Sequence, residues 1–226
     1  MTQILLVFPY LLIATVGTGV GRVLNSIIRI LPGGSSPSEN KLRYLLTELT
    51  NGLLWTFCAF CFGRENPVYA CSMAAVCSVL ICVFWIDYDH MLIYNRFVLL
   101  LALFGLIAAY TDRFTTPTDH LIGLCSGGGL FALLYFGAIL VLKREGMGFG
   151  DVKLAFAAGL FLGWQRVIPS VFIASVSAAI ILLLVRVIHK DEEGHEYPFG
   201  PFIAVGILIS MLVGAPLVDW YLSLII

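Results

Sequence analysis

Runs of some twenty apolar residues alternate with short polar stretches along nearly the whole chain. The runs cover roughly residues 4–30, 45–62, 67–86, 97–110, 121–142, 152–164, 167–188 and 202–226. A helix needs about 20 apolar residues to cross a hydrocarbon core of about 30 Å. A helix also satisfies its own backbone hydrogen bonds where no water can. The pattern therefore predicts an all-α, polytopic integral membrane protein with about eight transmembrane helices, forming a single membrane-embedded domain over residues 1–226. The fourth and sixth runs are short, and helices that barely span border cavities or broken segments, so these two are expected beside the functional site.

Composition agrees with the pattern. The 226 residues are 60% hydrophobic and 12% charged, against about 45–50% and 25% in soluble domains. A net charge of −1, without a basic stripe carrying interleaved aromatics, excludes nucleic acid as a partner; the lipid bilayer is the partner composition does imply. No basic residue precedes the first run and no small-residue cleavage site follows it, so no removable signal peptide is expected. Of the 13 Lys and Arg residues, only Arg64, Arg113 and Arg166 fall in or beside the even-numbered loops. The positive-inside rule then puts the odd-numbered loops in the cytoplasm.

Most other features have ordinary explanations. Gly17, Gly19 and Gly21 before Arg22 and Asn25 suggest close helix packing and a snorkelling arginine, with a hold on a loop or a substrate carboxylate as the other reading for Arg22 and Asn25. Glu48, just inside the second run, is either a structural ion-pair member or a substrate-facing acid. Gly127, Gly128 and Gly129 point to tight helix contact or a kink. The six cysteines all lie inside apolar runs, and the CxxC of Cys58 and Cys61 lacks the second ligand pair that zinc requires; they are read as small buried hydrophobes. The acids Asp191, Glu192, Glu193 and Glu196 with His189 and His195 read as a solvated charge run, and residues 32–40 as a flexible connector.

Two acids stand apart. Asp87 and Asp151 each sit where an apolar run gives way to a polar loop, and both fall on the cytoplasmic side of the predicted topology. Ionisable groups at such depth are expensive and read as functional. The stretch GMGFGD before and including Asp151 leaves the backbone thin at Gly146, Gly148 and Gly150, so a peptide could lie within reach of the carboxylate.

At these residues the chain resembles the type IV prepilin peptidases, membrane aspartic proteases of the GxGD class. The motif reads Gly148, Phe149, Gly150, Asp151, followed by Lys153. The family's other aspartate opens a D-x-D-H segment, here Asp87, Tyr88, Asp89, His90. GRVLNSIIRILP, RYLLTELTNGL and YPFGPFIAVG, starting at Gly21, Arg43 and Tyr197, look like family segments at helix ends. The resemblance implies Asp87 and Asp151 as catalytic residues, with Gly148, Gly150, Lys153, Asp89 and Glu48 in supporting or substrate-binding positions; Asp89 is the rival to Asp87. It also implies prepilin or pseudopilin substrates with a short basic leader, cut at the cytoplasmic face of a bacterial inner membrane. Tyr94 and Asn95 stand where the family usually has proline and an acid, so a different turn is expected after Asp87. The first cytoplasmic loop lacks the paired cysteine motifs of many members, which marks a short form with no metal site and no zinc. Proteolysis would need no cofactor; S-adenosylmethionine enters only if the family's N-methyltransferase activity is retained.

The implied chemistry is that of an aspartyl dyad. Two neighbouring carboxyls share one proton because both cannot ionise cheaply, and their titration belongs to the pair. The ionised member draws a proton from the attacking water and the protonated member supports the oxyanion. Competing readings are a membrane methyltransferase whose acids bind a cofactor, and a transporter or assembly factor using them as a proton relay. Internal repeats, common in transporters, are not evident. Oligomeric state is not readable from the chain.

Overall fold

The computed structural model describes residues 2–32, 41–113, 115–143, 147–189 and 197–223. Eight helices follow in order: α1 (Thr2–Ile30), α2 (Lys41–Phe62), α3 (Pro67–His90), α4 (Asn95–Thr111), α5 (Pro117–Leu142), α6 (Phe149–Leu162), α7 (Trp164–His189) and α8 (Gly200–Ser223). No strand occurs among the described residues. Helices α1, α2, α3, α5 and α7 are long and apolar enough to cross a membrane, and α4 and the Gly200–Val213 part of α8 are shorter apolar helices. The protein is a multi-pass membrane protein.

Helix α3 is the hub. Of its apolar window 78% is buried, against 22% or less in the other four spanning candidates. It packs against α1, α2, α4 and α8, while the 14-residue α6 packs among α4, α5, α7 and α8. At 1.5 Å per residue α6 is only about 21 Å long. Burial by neighbouring helices rather than lipid explains how so short a helix sits in this bundle, and Val152, Leu154, Ala155, Ala158 and Phe161 along it are all buried. The outward faces, such as Leu11 and Leu12 of α1 and Phe172 and Leu183 of α7, are broad and apolar, as expected where lipid is the solvent.

The α1–α2 hairpin bears out the small-residue reading. A Cβ on Gly21 would lie 2.7 Å from Glu48 Cα, and one on Gly17 would lie 2.9 Å from Gly52 Cα. The side chain of Asn51 donates to the Gly17 carbonyl at 2.7 Å, Ser78 donates to Asn51 Oδ1 at 2.8 Å, and Trp55 Nε1 donates to Ser78 Oγ at 3.0 Å. Such polar contacts join helices where the hydrophobic effect between them is weak. Gly127 and Gly128 likewise face α6 and α7, whereas Gly19 and Gly129 touch nothing nearby.

One expectation fails. Cys58, Cys77 and Cys82 are buried, but Cys61, Cys71 and Cys125 are exposed on helix surfaces, because an apolar run in a membrane helix has lipid-facing as well as protein-facing sides. Cys58 contacts Cys77 of α3 at 4.0 Å rather than pairing with Cys61. Among the described residues no three His, Cys, Asp or Glu side chains converge as a metal-binding group would. The acidic stretch with Asp191, Glu192, Glu193, Glu196 and His195, most of the 32–40 connector, and Gly146 lie outside the described residues.

At the start of α3, the carboxylate of Asp112 accepts from Arg166 Nη1 at 2.8 Å and from the Tyr69 hydroxyl at 3.2 Å. This buried cluster fastens the beginnings of α3 and α7 to the end of α4. The two candidate aspartates lie at the other end of the bundle.

Candidate active site

Asp87 lies in the last turn of α3 and Asp151 in the first turn of α6. Both are therefore helical residues rather than loop residues: the apolar runs mark the hydrocarbon, and the helices continue past them. Exposure is 4% for Asp87 and 6% for Asp151.

The two aspartates are placed by different devices. Asp87 Oδ2 accepts the backbone N–H of Gly200, the first residue of α8, at 2.8 Å. A helix N-terminus carries free N–H groups and a partial positive charge, which suits an acidic partner. The fit requires glycine, because a Cβ on Gly200 would lie 2.7 Å from Asp87 Cγ. Asp151 is fixed by its own helix start, its N–H donating to the Gly148 carbonyl at 3.1 Å.

The two motif glycines differ in what they do. Gly150 presses on the segment after α3, where its Cβ would come 3.1 Å from Ile93 Cβ. Gly148 has φ −70° and ψ 140°, a conformation any residue adopts, and its Cβ would meet Asp151 Oδ2 at 3.5 Å and Gly150 N at 3.9 Å, both ordinary contacts. Glycine there is not demanded by the chain itself, and it puts no side chain of its own against the Asp151 carboxylate.

Lys153 does not face the carboxylates. Its Nζ donates to Asn95 Oδ1 at 3.1 Å and lies 4.9 Å from the centre of the Phe149 ring, tying α6 to the start of α4. The turn between α3 and α4 follows from its residues: Met91 caps α3 with φ 52° and bonds back to the Asp87 carbonyl at 2.8 Å. Tyr94 donates its hydroxyl to the Leu31 carbonyl at 3.1 Å. Tyr94 and Asn95 thus anchor this segment to α1 and α6.

Asp89 faces elsewhere. Two residues on a helix subtend about 200°, and the Asp89 carboxylate meets Arg43 Nη1 of α2 at 2.6 Å. Glu48 is likewise away from the pair, accepting from Arg22 Nε and Nη2 at 3.4 Å each. Asn25 donates to the Tyr44 carbonyl at 3.1 Å, so Arg22 and Asn25 both bind α1 to α2. Of the seven candidates, Asp87, Asp151, Gly148 and Gly150 are gathered, and Lys153, Asp89 and Glu48 brace the helices around them. The sequence reading missed Gly200 and Arg43. Both lie inside segments it singled out, but a backbone N–H donor and an inter-helix partner leave no local pattern.

Residues 74–183 match the type IV leader peptidase family. The chain is similar to proteins named prepilin leader peptidase/N-methyltransferase. It is 31% identical over 185 residues to that of Aeromonas salmonicida (strain A449), covering 81% of this chain and 62% of the relative. It is 33% identical over 181 residues to those of Stutzerimonas stutzeri and Pseudomonas aeruginosa, covering 80% of this chain and 62% of each relative. The match thus spans somewhat under two thirds of these curated relatives. No solved structure matches the chain.

Proposed function

We propose, from the match of residues 74–183 to the type IV leader peptidase family, that the protein is a membrane aspartic endopeptidase that removes the short basic leader from prepilins or pseudopilins. The supporting observation is the pair itself: two buried aspartates, one in the last turn of α3 and one in the first turn of α6, beside Gly148. The domain is the whole bundle, and the site faces the cytoplasm of a bacterial inner membrane, as the distribution of Lys and Arg favours.

In this reading the dyad holds one proton. Gly200 engages Asp87 Oδ2, which leaves Oδ1 to meet the water. The ionised carboxylate takes a proton from that water as its oxygen attacks the scissile carbonyl. The protonated carboxyl donates a hydrogen bond to the developing oxyanion. Collapse of the tetrahedral intermediate breaks the C–N bond, with a proton delivered to the leaving amine. The substrate backbone runs past Gly148, where no side chain obstructs it.

The relatives' printed names include N-methyltransferase. The names carried by the relatives extend the proposal to a second step, N-methylation of the new amino terminus with S-adenosylmethionine as donor.

The test is to incubate detergent-purified protein with a prepilin carrying a basic leader and read the product mass, with and without S-adenosylmethionine. Wild type is expected to cut after the leader, while Asp87→Asn and Asp151→Asn accumulate in the membrane and lose at least about a hundredfold in rate. Full processing by either variant would sink the dyad; a further methyl mass would add the second activity.

A further inference from the structure

An apolar cavity of about 530 Å³ opens between α1, α2 and α3, in the half of the bundle away from the aspartates. Its origin is local. Towards the aspartates the helices are drawn tightly together: a Cβ on Gly17 would press on Gly52 Cα, and Ser78 of α3 is bonded to both Asn51 and Trp55 of α2. Beyond Trp55 the facing residues are small, Ala59 and Gly63 on α2 with Ala70 and Ala74 on α3, and they leave the space between the helices unfilled. Cys71 lines this space and is exposed, so the cavity opens on the outer surface of the bundle, where the bilayer lies. Its volume is that of a ligand site, and an apolar hollow stays dry and takes up apolar matter.

Length and charge together select the occupant. Trp55 and Gly63 are eight residues apart on α2, as are Pro67 and Ala75 on α3, so at 1.5 Å per residue the cavity runs about 12 Å along the helices. One leaflet supplies about 15 Å of a 30 Å hydrocarbon core, and a chain lying in this cavity would therefore cross most of a leaflet. At the mouth stands Arg64, in the turn between α2 and α3 and the one charged residue of the lining. Arg64 is exposed and, among the described residues, forms no ion pair. Its neighbour Glu65 lines a separate hollow with Asn66 and Asp112, and Arg166, also at this end of the bundle, is committed to Asp112. A guanidinium fork matches the geometry of a phosphate. A neighbouring membrane helix would cover the apolar wall but would bring no anion to Arg64.

We propose that this cavity is the binding site of one anionic phospholipid from the leaflet on the side away from the aspartates. One acyl chain lies along Ala59 and Ala74 with its end towards Trp55, and the headgroup phosphate accepts from the Arg64 guanidinium. The chain replaces the dispersion contacts that the small residues cannot make, and Arg64 gives the site its preference for anionic headgroups.

Native mass spectrometry of the full-length protein tests this, with the protein delipidated in detergent and titrated with phosphatidylglycerol or with phosphatidylethanolamine of the same chains. Wild type is expected to hold one phosphatidylglycerol at a concentration about tenfold below that needed for phosphatidylethanolamine. Arg64→Gln should bring phosphatidylglycerol to the level of phosphatidylethanolamine. Cys71→Phe, which places a ring in the cavity from its open side, should remove the bound lipid of either kind. A mapping on wild type needs no variant: phosphatidylglycerol with a diazirine near the end of its acyl chain should crosslink to Trp55, Ala59 or Ala74. Equal retention of the two lipids, or phosphatidylglycerol binding unchanged in Arg64→Gln, would overturn the proposal. So would crosslinks confined to other helices, or a lipid-free dimer that Cys71→Phe dissociates, which would give the cavity to a second copy of the chain. Peptide cleavage is not needed for any of these readouts.

Discussion

Gly200 has no room for a side chain. Its N–H holds Asp87 Oδ2 at 2.8 Å, and a Cβ would sit 2.7 Å from the carboxylate carbon. The obstacle is the reacting group itself rather than a flexible neighbour, so Gly200→Ala must move either the carboxylate or the start of α8. Misplacing a catalytic group by about 1 Å can cost about a hundredfold in rate. Gly200→Ala is expected to lower kcat by about that factor while the helical circular dichroism stays that of wild type. Retention of more than half the wild-type kcat would show that Asp87 does not depend on this contact. By contrast Asp89, in the same four-residue motif, is committed to Arg43, and the difference between the two acids is nothing but the helix face each occupies. That difference could be read from sequence only once both positions were known to be helical.

Three helix ends build the site: the end of α3 and the starts of α6 and α8. The close approach of Gly150 to Ile93, 3.1 Å for an added Cβ, sets how far α6 stands from the end of α3. Gly150→Ala is expected to push the two apart by a few tenths of an ångström and lower kcat severalfold, about 1 kcal/mol of transition-state stabilisation. Ile93→Ala in the same chain should restore the rate, because it removes the atom in the way; the paired rates of the single and double variants check this, and a double variant slower than Gly150→Ala would refute it. At this scale much was legible. Eight apolar runs became eight helices, since each run must bury itself in lipid or protein, and the two shortest, α4 and α6, do pack together beside the aspartates. Helix ends were not legible from hydropathy. Asn66 caps α3, and the Thr116–Asp119 capping box starts α5, and such polar residues extend helices beyond the run that spans the membrane. At the ends that hold Asp87 and Asp151 the caps are Met91, at φ 52°, and Gly148, and neither shows in the apolar pattern.

Across the whole molecule, one buried charged cluster and the proposed chemistry lie at opposite ends. The Arg166, Asp112 and Tyr69 cluster joins α3, α4 and α7 at the start of α3, its charged side chains 5% and 0% exposed, whereas the aspartate pair lies at the end of that helix. The cluster was not predictable from charge spacing, because Arg166 and Asp112 are 54 residues apart and meet only after the helices are packed. Removing one partner of a buried pair leaves the other uncompensated and costs about 3–5 kcal/mol, whereas replacing both is often near neutral. Arg166→Met should therefore lower the unfolding free energy by about 3 kcal/mol, and adding Asp112→Leu should recover most of it. Thermal unfolding in detergent reads both changes. Because α3 transmits no loose segment between its ends, the surviving folded fraction of Arg166→Met should cleave with a kcat within about twofold of wild type. A collapse of kcat in protein that remains folded would mean that the two ends of α3 are coupled, and that the cluster sets the position of Asp87 as well as the stability of the bundle.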